Sequence, residues 1–190
     1  MEKIPEPKTK FHVNDTPAKL NDKENSLINF WQWAYSDLNQ NVTRGMVGQY
    51  IIAWTLGIDA TPDDAWGSYD LLSPSNKKIE VKTTSYLQAW VQKNEPKPKF
   101  RIRKTYFYSR DTGYSKEKDF QADIYVLCYF FEKDKQKADV MNLDQWKFWV
   151  LPKENIEKLF SAKETLSVDV LESDFSAVSV DKLGSEILKF

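Results

Sequence analysis

A chain of 190 residues holds enough apolar material for one packed domain and too little to require two, so a single site is expected. The hydrophobic share of 41%, with seven Trp, nine Tyr and eleven Phe, excludes a disordered chain even though 29% of residues are charged. His12 and Cys128 are the sole members of their kinds, so disulfide frameworks, Cys/His zinc sites and Ser-His-Asp or Cys-His triads all lack parts, which leaves carboxylates and lysines for chemistry. No stretch approaches the roughly 18 apolar residues of a membrane span and the N-terminus has no apolar signal region, so a cytoplasmic protein without a membrane partner is expected.

Residues 1–25 are polar, contain three prolines and lack periodicity; they read as a flexible leader to a single domain over 26–190. Leu27, Trp31, Ala34 and Leu38 then recur at three- and four-residue spacing beside Phe30 and Tyr35, which predicts a helix with one broad buried face, interrupted by Asn39 and Asn41. A second helix is predicted to start with Thr43 as its N-cap, bury Met46, Val47, Tyr50, Ile51 and Trp54, and end at Gly57, with Gly48 suited to a close contact.

Beyond a loop over 61–68, residues 69–72 and 78–84 read as two strands joined by Ser73-Pro74-Ser75-Asn76. Residues 100–108 alternate in part between apolar side chains (Phe100, Ile102, Tyr106, Tyr108) and basic or polar ones, which predicts a strand with a basic outer face followed by a turn around Gly113. The apolar run 124–131 predicts a strand buried on both faces, and 145–151 a further strand ending at Pro152. Residues 155–160 and 181–188 look helical and 165–170 like a short strand. The expected class is α/β, a mixed central sheet flanked by helices, with both N-terminal helices on one side.

A carboxylate, a spacer and a lysine occur three times, as Glu6-Pro7-Lys8, Glu80-Val81-Lys82 and Glu95-Pro96-Lys97. Proline cannot donate to a sheet ladder, so only the middle copy suits a central strand. There a period of two puts Glu80 and Lys82 on one face while Ile79, Val81 and Thr83 face packing. Asp70 lies across the hairpin turn, where strand pairing brings its carboxylate toward Glu80. Two carboxylates with the main-chain carbonyl of Val81 suit a hard cation, Mg²⁺ or Mn²⁺, which keeps several waters. An ammonium beside such an ion, Lys82, can orient a nucleophile or offset the charge that develops in phosphodiester hydrolysis.

The stretch Thr43-Arg44-Gly45-Met46-Val47-Gly48-Gln49-Tyr50, the pair Tyr69-Asp70, and Glu80-Val81-Lys82-Thr83-Thr84 followed by Tyr86-Leu87-Gln88-Ala89-Trp90 resemble the PD-(D/E)XK nucleases, the restriction-endonuclease-like superfamily, in a bacterial branch of it. The resemblance covers roughly residues 30–152. It implies a restriction-endonuclease-like sheet, a metal-dependent nuclease acting on DNA, catalytic roles for Asp70, Glu80 and Lys82, and a first-helix position at Gln49. The chain departs from the pattern there, since many members carry Glu and the neutral Gln49 offers only an amide oxygen.

Net charge is −1, but 92–110 holds seven basic residues against Glu95 alone, a local charge of about +6 that leaves about −7 elsewhere. Interleaved with Phe100, Tyr106, Phe107 and Tyr108, the residues Lys99, Arg101, Arg103 and Lys104 read as a phosphate-contacting strip, with Gln88 as a further nucleic-acid contact and Trp90 more readily core. Two rivals stand beside this reading. One is a non-cleaving nucleic-acid-binding module on the same fold. The other is a subunit or interaction protein whose many exposed aromatics meet a partner, with the acidic C-terminal third (Glu164, Asp169, Glu172, Asp174, Asp181, Glu186) as its surface; a homodimer is a further partner state open to any of these readings.

Overall fold

The structure, a computed structural model, describes residues 27–58, 67–109 and 112–190. The leader expected over 1–25, with His12 and the Glu6-Pro7-Lys8 copy, lies outside the described residues. The chain divides into two compact units, Met1–Asp37 and Leu38–Phe190. In the first, α1 spans Leu27–Tyr35, ending before Leu38, and the Phe30 ring meets Tyr35 edge-on at 6.3 Å.

The second unit is built on a four-stranded mixed sheet in the order β1-β2-β6-β7, where β1 is Leu71–Leu72, β2 Lys78–Ser85, β6 Ile124–Phe130 and β7 Trp146–Pro152. β1 and β7 run antiparallel to their neighbours, while β2 and β6 are parallel, Ile79 pairing with Ile124 and Lys82 with Leu127. The run Ile-Tyr-Val-Leu-Cys-Tyr-Phe of β6 is buried along its whole length, as a strand covered on both faces must be. Its alternation divides the core in two: Val126, Cys128 and Phe130 face one cluster, Tyr125, Leu127 and Tyr129 the other. Cys128 is fully buried, and burial pushes its thiol pKa up, in keeping with a packing role.

The first face is covered by α2 (Asn41–Thr55) and α5 (Val180–Ile187), through Ile51, Ile52, Leu183 and Ile187. The expected start and phase of α2 are both corrected. Gln40 occupies the cap position without a side-chain cap bond, and Thr43 is buried one turn inside with Arg44. Arg44 donates to the Asn39 carbonyl and Asn41 Oδ1, each at 2.6 Å, tying down the helix start. The helix turns Gly48, Ile51, Ile52 and Ala53 to the sheet, whereas Met46, Tyr50 and Trp54, expected in the core, are exposed together with Val42. The close approach at Gly48 sets this phase: a Cβ built there would land on Thr83 Oγ1 of β2. Bulky aromatics on that stripe would hold the helix off the sheet.

The second face is covered by a two-stranded pair, β3 (Lys99–Arg101) with β8 (Thr165–Ser167), and by α3 (Lys153–Leu159) and α4 (Val168–Asp174). The strand expected over 100–108 is therefore two strands. β3 ends at Arg101 and buried Ile102 follows. β4 (Thr105–Ser109) then pairs with β5 (Gly113–Asp119), so the region read as a turn around Gly113 is mostly strand. The strand expected over 165–170 likewise stops at Ser167, where α4 begins. Among the described residues no helix is long and apolar enough to cross a membrane.

Candidate functional site at the β1–β2 hairpin

The hairpin turn is closed by Ser73, whose N–H donates to the Lys77 carbonyl and whose Oγ accepts from Lys77 N–H. Asn76 adopts a left-handed φ of 61°, a conformation that its short polar side chain tolerates. Leu71 pairs with Ile79 and Leu72 with Lys78, and beyond the ladder the Asp70 N–H donates to the Ile79 carbonyl at 2.9 Å. The Asp70 side chain adds a second link to β2: Oδ2 accepts from Val81 N–H at 2.6 Å. Oδ1 accepts from Gln49 Nε2 at 2.8 Å, so an α2 side chain bonds directly to this carboxylate.

Glu80 and Lys82 share the face of β2 opposite to the buried Ile79 and Val81, and they form an ion pair with each other. Burial pushes the Asp70 carboxyl up to about 6; the Glu80 charge adds to the rise, while the Val81 N–H and the Lys82 ammonium oppose it. The site thus carries negative charge that its own lysine offsets only in part.

Glu80 and Lys82 open onto a cleft of about 1510 Å³ whose other walls are the β3–β4 connection, the β4–β5 hairpin and the segment after α3. Arg101, Arg103 and Lys104 line it, as do Lys118 and Lys163, which sequence reasoning missed. Lys118 had a signal in the alternation of Tyr114, Lys116 and Lys118; Lys163 had none, because the β3–β8 pairing (Arg101 opposite Thr165) brings it from a distant part of the chain. Arg101 pairs with Glu164 at 2.8 Å, and Lys104 Nζ sits 5.5 Å from the Phe120 ring centre.

The other two expected nucleic-acid contacts lie elsewhere. Gln88 and Lys99 line a separate groove of about 580 Å³ beside Trp90, which is exposed rather than core. Gln88 Nε2 donates to the Ser85 carbonyl at 2.9 Å, which holds the loop after β2. Glu95 of the third Glu-X-Lys copy accepts from Tyr86 Oη at 3.1 Å in that loop, away from the sheet ladder.

Among the described residues no three His, Cys, Asp or Glu side chains gather to hold a metal. Asp70 and Glu80 are nevertheless the right donors for a hard divalent cation. Both are oxygen ligands, each Asp70 oxygen accepts one hydrogen bond in a group that can accept more, and a cation would offset what raises the Asp70 pKa, burial of its carboxylate first and the Glu80 charge second. For Val81 the structure records the N–H in the site, as a donor to Asp70. No protein-family model matches the chain, and a comparison with curated proteins finds no match.

Proposed function

We propose that the chain is a metal-dependent nuclease of the PD-(D/E)XK type, hydrolysing phosphodiester bonds in DNA in the cytoplasm. One observation carries this reading: the Asp70 carboxylate, bonded to the Val81 N–H, feels the charge of Glu80 across the hairpin, and Glu80 and Lys82 stand on one face at the wall of a cation-rich cleft. An ordinary cross-strand salt bridge needs one acid and one base, and the second acid, half-buried with a raised pKa, is superfluous to it.

Asp70 and Glu80, with the Val81 carbonyl, would hold Mg²⁺ or Mn²⁺, which when bound acidifies a coordinated water and offsets charge on the phosphoryl group. Gln49 orients Asp70 by its amide N–H. Glu80 holds the Lys82 ammonium at the cleft wall, where it meets a phosphate or the nucleophile that attacks it. Arg103, Lys104, Lys118 and Lys163 of the cleft hold the flanking phosphates.

A second reading, a nucleic-acid-binding module that does not cleave, is favoured by the neutral Gln49 at the helix position. Incubation of the protein with single- and double-stranded DNA in Mg²⁺ or Mn²⁺ separates the two. Cleavage that is lost in Lys82→Ala supports the nuclease. Binding in chelator without cleavage in either metal supports the module, and neither binding nor cleavage rejects both.

A further inference from the structure

The β4–β5 hairpin is the one wall of the cleft built largely from aromatic rings. Tyr106, Tyr108, Tyr114 and Lys118 face the cleft, with Tyr108 opposite Tyr114 in the ladder and their ring centres 5.0 Å apart. On the other side of the hairpin Phe107 lies 5.8 Å from Lys78 Nζ, which also sits 5.7 Å from the Tyr69 ring, so that face is anchored to the β1–β2 region. The tyrosines of the cleft face stay open to solvent: Tyr106 is 48% exposed, with Lys118 Nζ 5.2 Å from its ring centre, and Tyr108 is 49% and Tyr114 68% exposed.

Exposed rings of this size on a two-stranded ribbon contribute little to the core, yet they stand beside a strongly positive surface. Lys82 and Arg101 are already paired, with Glu80 and Glu164, the two carboxylates that line the cleft. Arg103, Lys104, Lys118 and Lys163 form no salt bridge among the described residues. Cations that track a phosphate backbone beside ring faces on which bases stack are the two components of single-strand recognition. A duplex satisfies only the first, because its base faces are hidden within the helical stack.

We propose that the β4–β5 hairpin is a base-stacking platform and that the cleft takes single-stranded DNA, delivering unpaired nucleotides to the Asp70–Glu80–Lys82 site. This rests on the nuclease reading for its polarity toward DNA but not on cleavage, so binding in chelator tests it.

The probes are fluorescein-labelled oligo(dT), a duplex of the same length, and an abasic strand of the same length and charge. The full chain should bind oligo(dT) at least about tenfold more tightly than either of the others. Tyr114→Leu and Tyr106→Leu should each weaken oligo(dT) binding by about 5- to 100-fold. Tyr114→Phe, which keeps the ring, should stay within about twofold of wild type, and abasic-strand binding should not change in any variant. Equal binding of all three probes, or Leu variants that bind oligo(dT) like wild type, overturns the platform and leaves a duplex-cleaving or phosphate-binding cleft standing. Failure to bind any of the three probes rejects the DNA reading together with the platform.

Discussion

Gln49 Nε2 of α2 donates at 2.8 Å to Oδ1 of Asp70, the residue that precedes β1, and this bond ties the helix to the site carboxylate. It exists because the side chain is neutral and can donate. A glutamate there would face the half-buried Asp70 carboxylate with no proton to share.

Gln49→Glu therefore has opposite effects in two conditions. Without metal a third carboxylate should lower the melting temperature, since like charges in a half-buried site repel. With Mg²⁺ the added charged oxygen should tighten binding by about tenfold or more, equivalent to about 1.4 kcal/mol. Titration calorimetry reads the second effect, and an unchanged affinity would remove Gln49 from the site.

Lys82→Ala removes an ammonium that is not a ligand for a hard cation. Cleavage should fall by about 10² to 10³, in line with the loss of one group stabilising charge in the transition state. Mg²⁺ affinity should hold or rise, because Glu80 is released from its ion pair. A variant cleaving at near the wild-type rate would return Lys82 to a structural salt bridge.

The cations are unequal in what they should contribute to binding. Arg103→Gln, Lys104→Gln and Lys163→Gln together should reduce the slope of log affinity against log salt by about 2, at roughly 0.7 per phosphate contact on a single strand. Lys99→Gln with Arg101→Gln should change it less, since Lys99 lies in the separate groove and Arg101 is held by Glu164. Equal slopes for the two sets would show that the cleft is not the path of the backbone.

Gly48 and Gly184 offer a contrast in packing. Alanine in place of helical glycine ordinarily stabilises by up to about 1 kcal/mol, but at Gly48 the new Cβ meets Thr83 Oγ1 and at Gly184 the backbone carbonyl of Thr55. Overpacking of this kind costs about 1–3 kcal/mol, so both substitutions should destabilise in urea melts. Thr83→Ala removes the obstacle at Gly48 and should turn Gly48→Ala stabilising. Thr55→Ala leaves the carbonyl in place and should not rescue Gly184→Ala.

The parts of this architecture that were legible in the sequence are those where one period dominates. Glu80-Val81-Lys82 alternates between solvent and core, and the run that became β6 is apolar on both parities, so each admits one strand assignment. That Asp70 comes near enough to Glu80 to feel its charge followed from counting back across a turn with Ser, Pro and Asn. The phase of α2 was not legible, because Met46, Tyr50 and Trp54 outrank Gly48 and Ala53 by apolar area, whereas closeness to the sheet selects the small residues. The β4–β5 hairpin was hidden for a related reason: with tyrosines and lysines alternating on a wall of a cleft, neither face has the apolar signature of a core strand.

Asp70→Asn distinguishes a cation site from a salt bridge without knowledge of the substrate. The folded-state pKa of Asp70, about 6, lies above its ordinary value of 3.8, so the native state binds this proton more tightly than the unfolded chain does. Wild type is then free of the penalty below about pH 4, and loses stability as pH rises through 6. That loss is on the order of 3 kcal/mol at neutral pH and above. Asparagine is nearly isosteric and uncharged: its Oδ1 can accept the Val81 N–H, and the Gln49 amide can rotate to accept from its Nδ2. In chelator the variant should therefore melt higher than wild type at pH 7.5, and the two should converge near pH 4. Added Mg²⁺ should raise the wild-type melt, by linkage equivalent to about 2.7 kcal/mol at a hundredfold excess over the dissociation constant, and leave the variant unmoved. If Asp70 served only to anchor Lys82 electrostatically, the variant would melt lower in chelator at pH 7.5 and Mg²⁺ would shift both proteins alike.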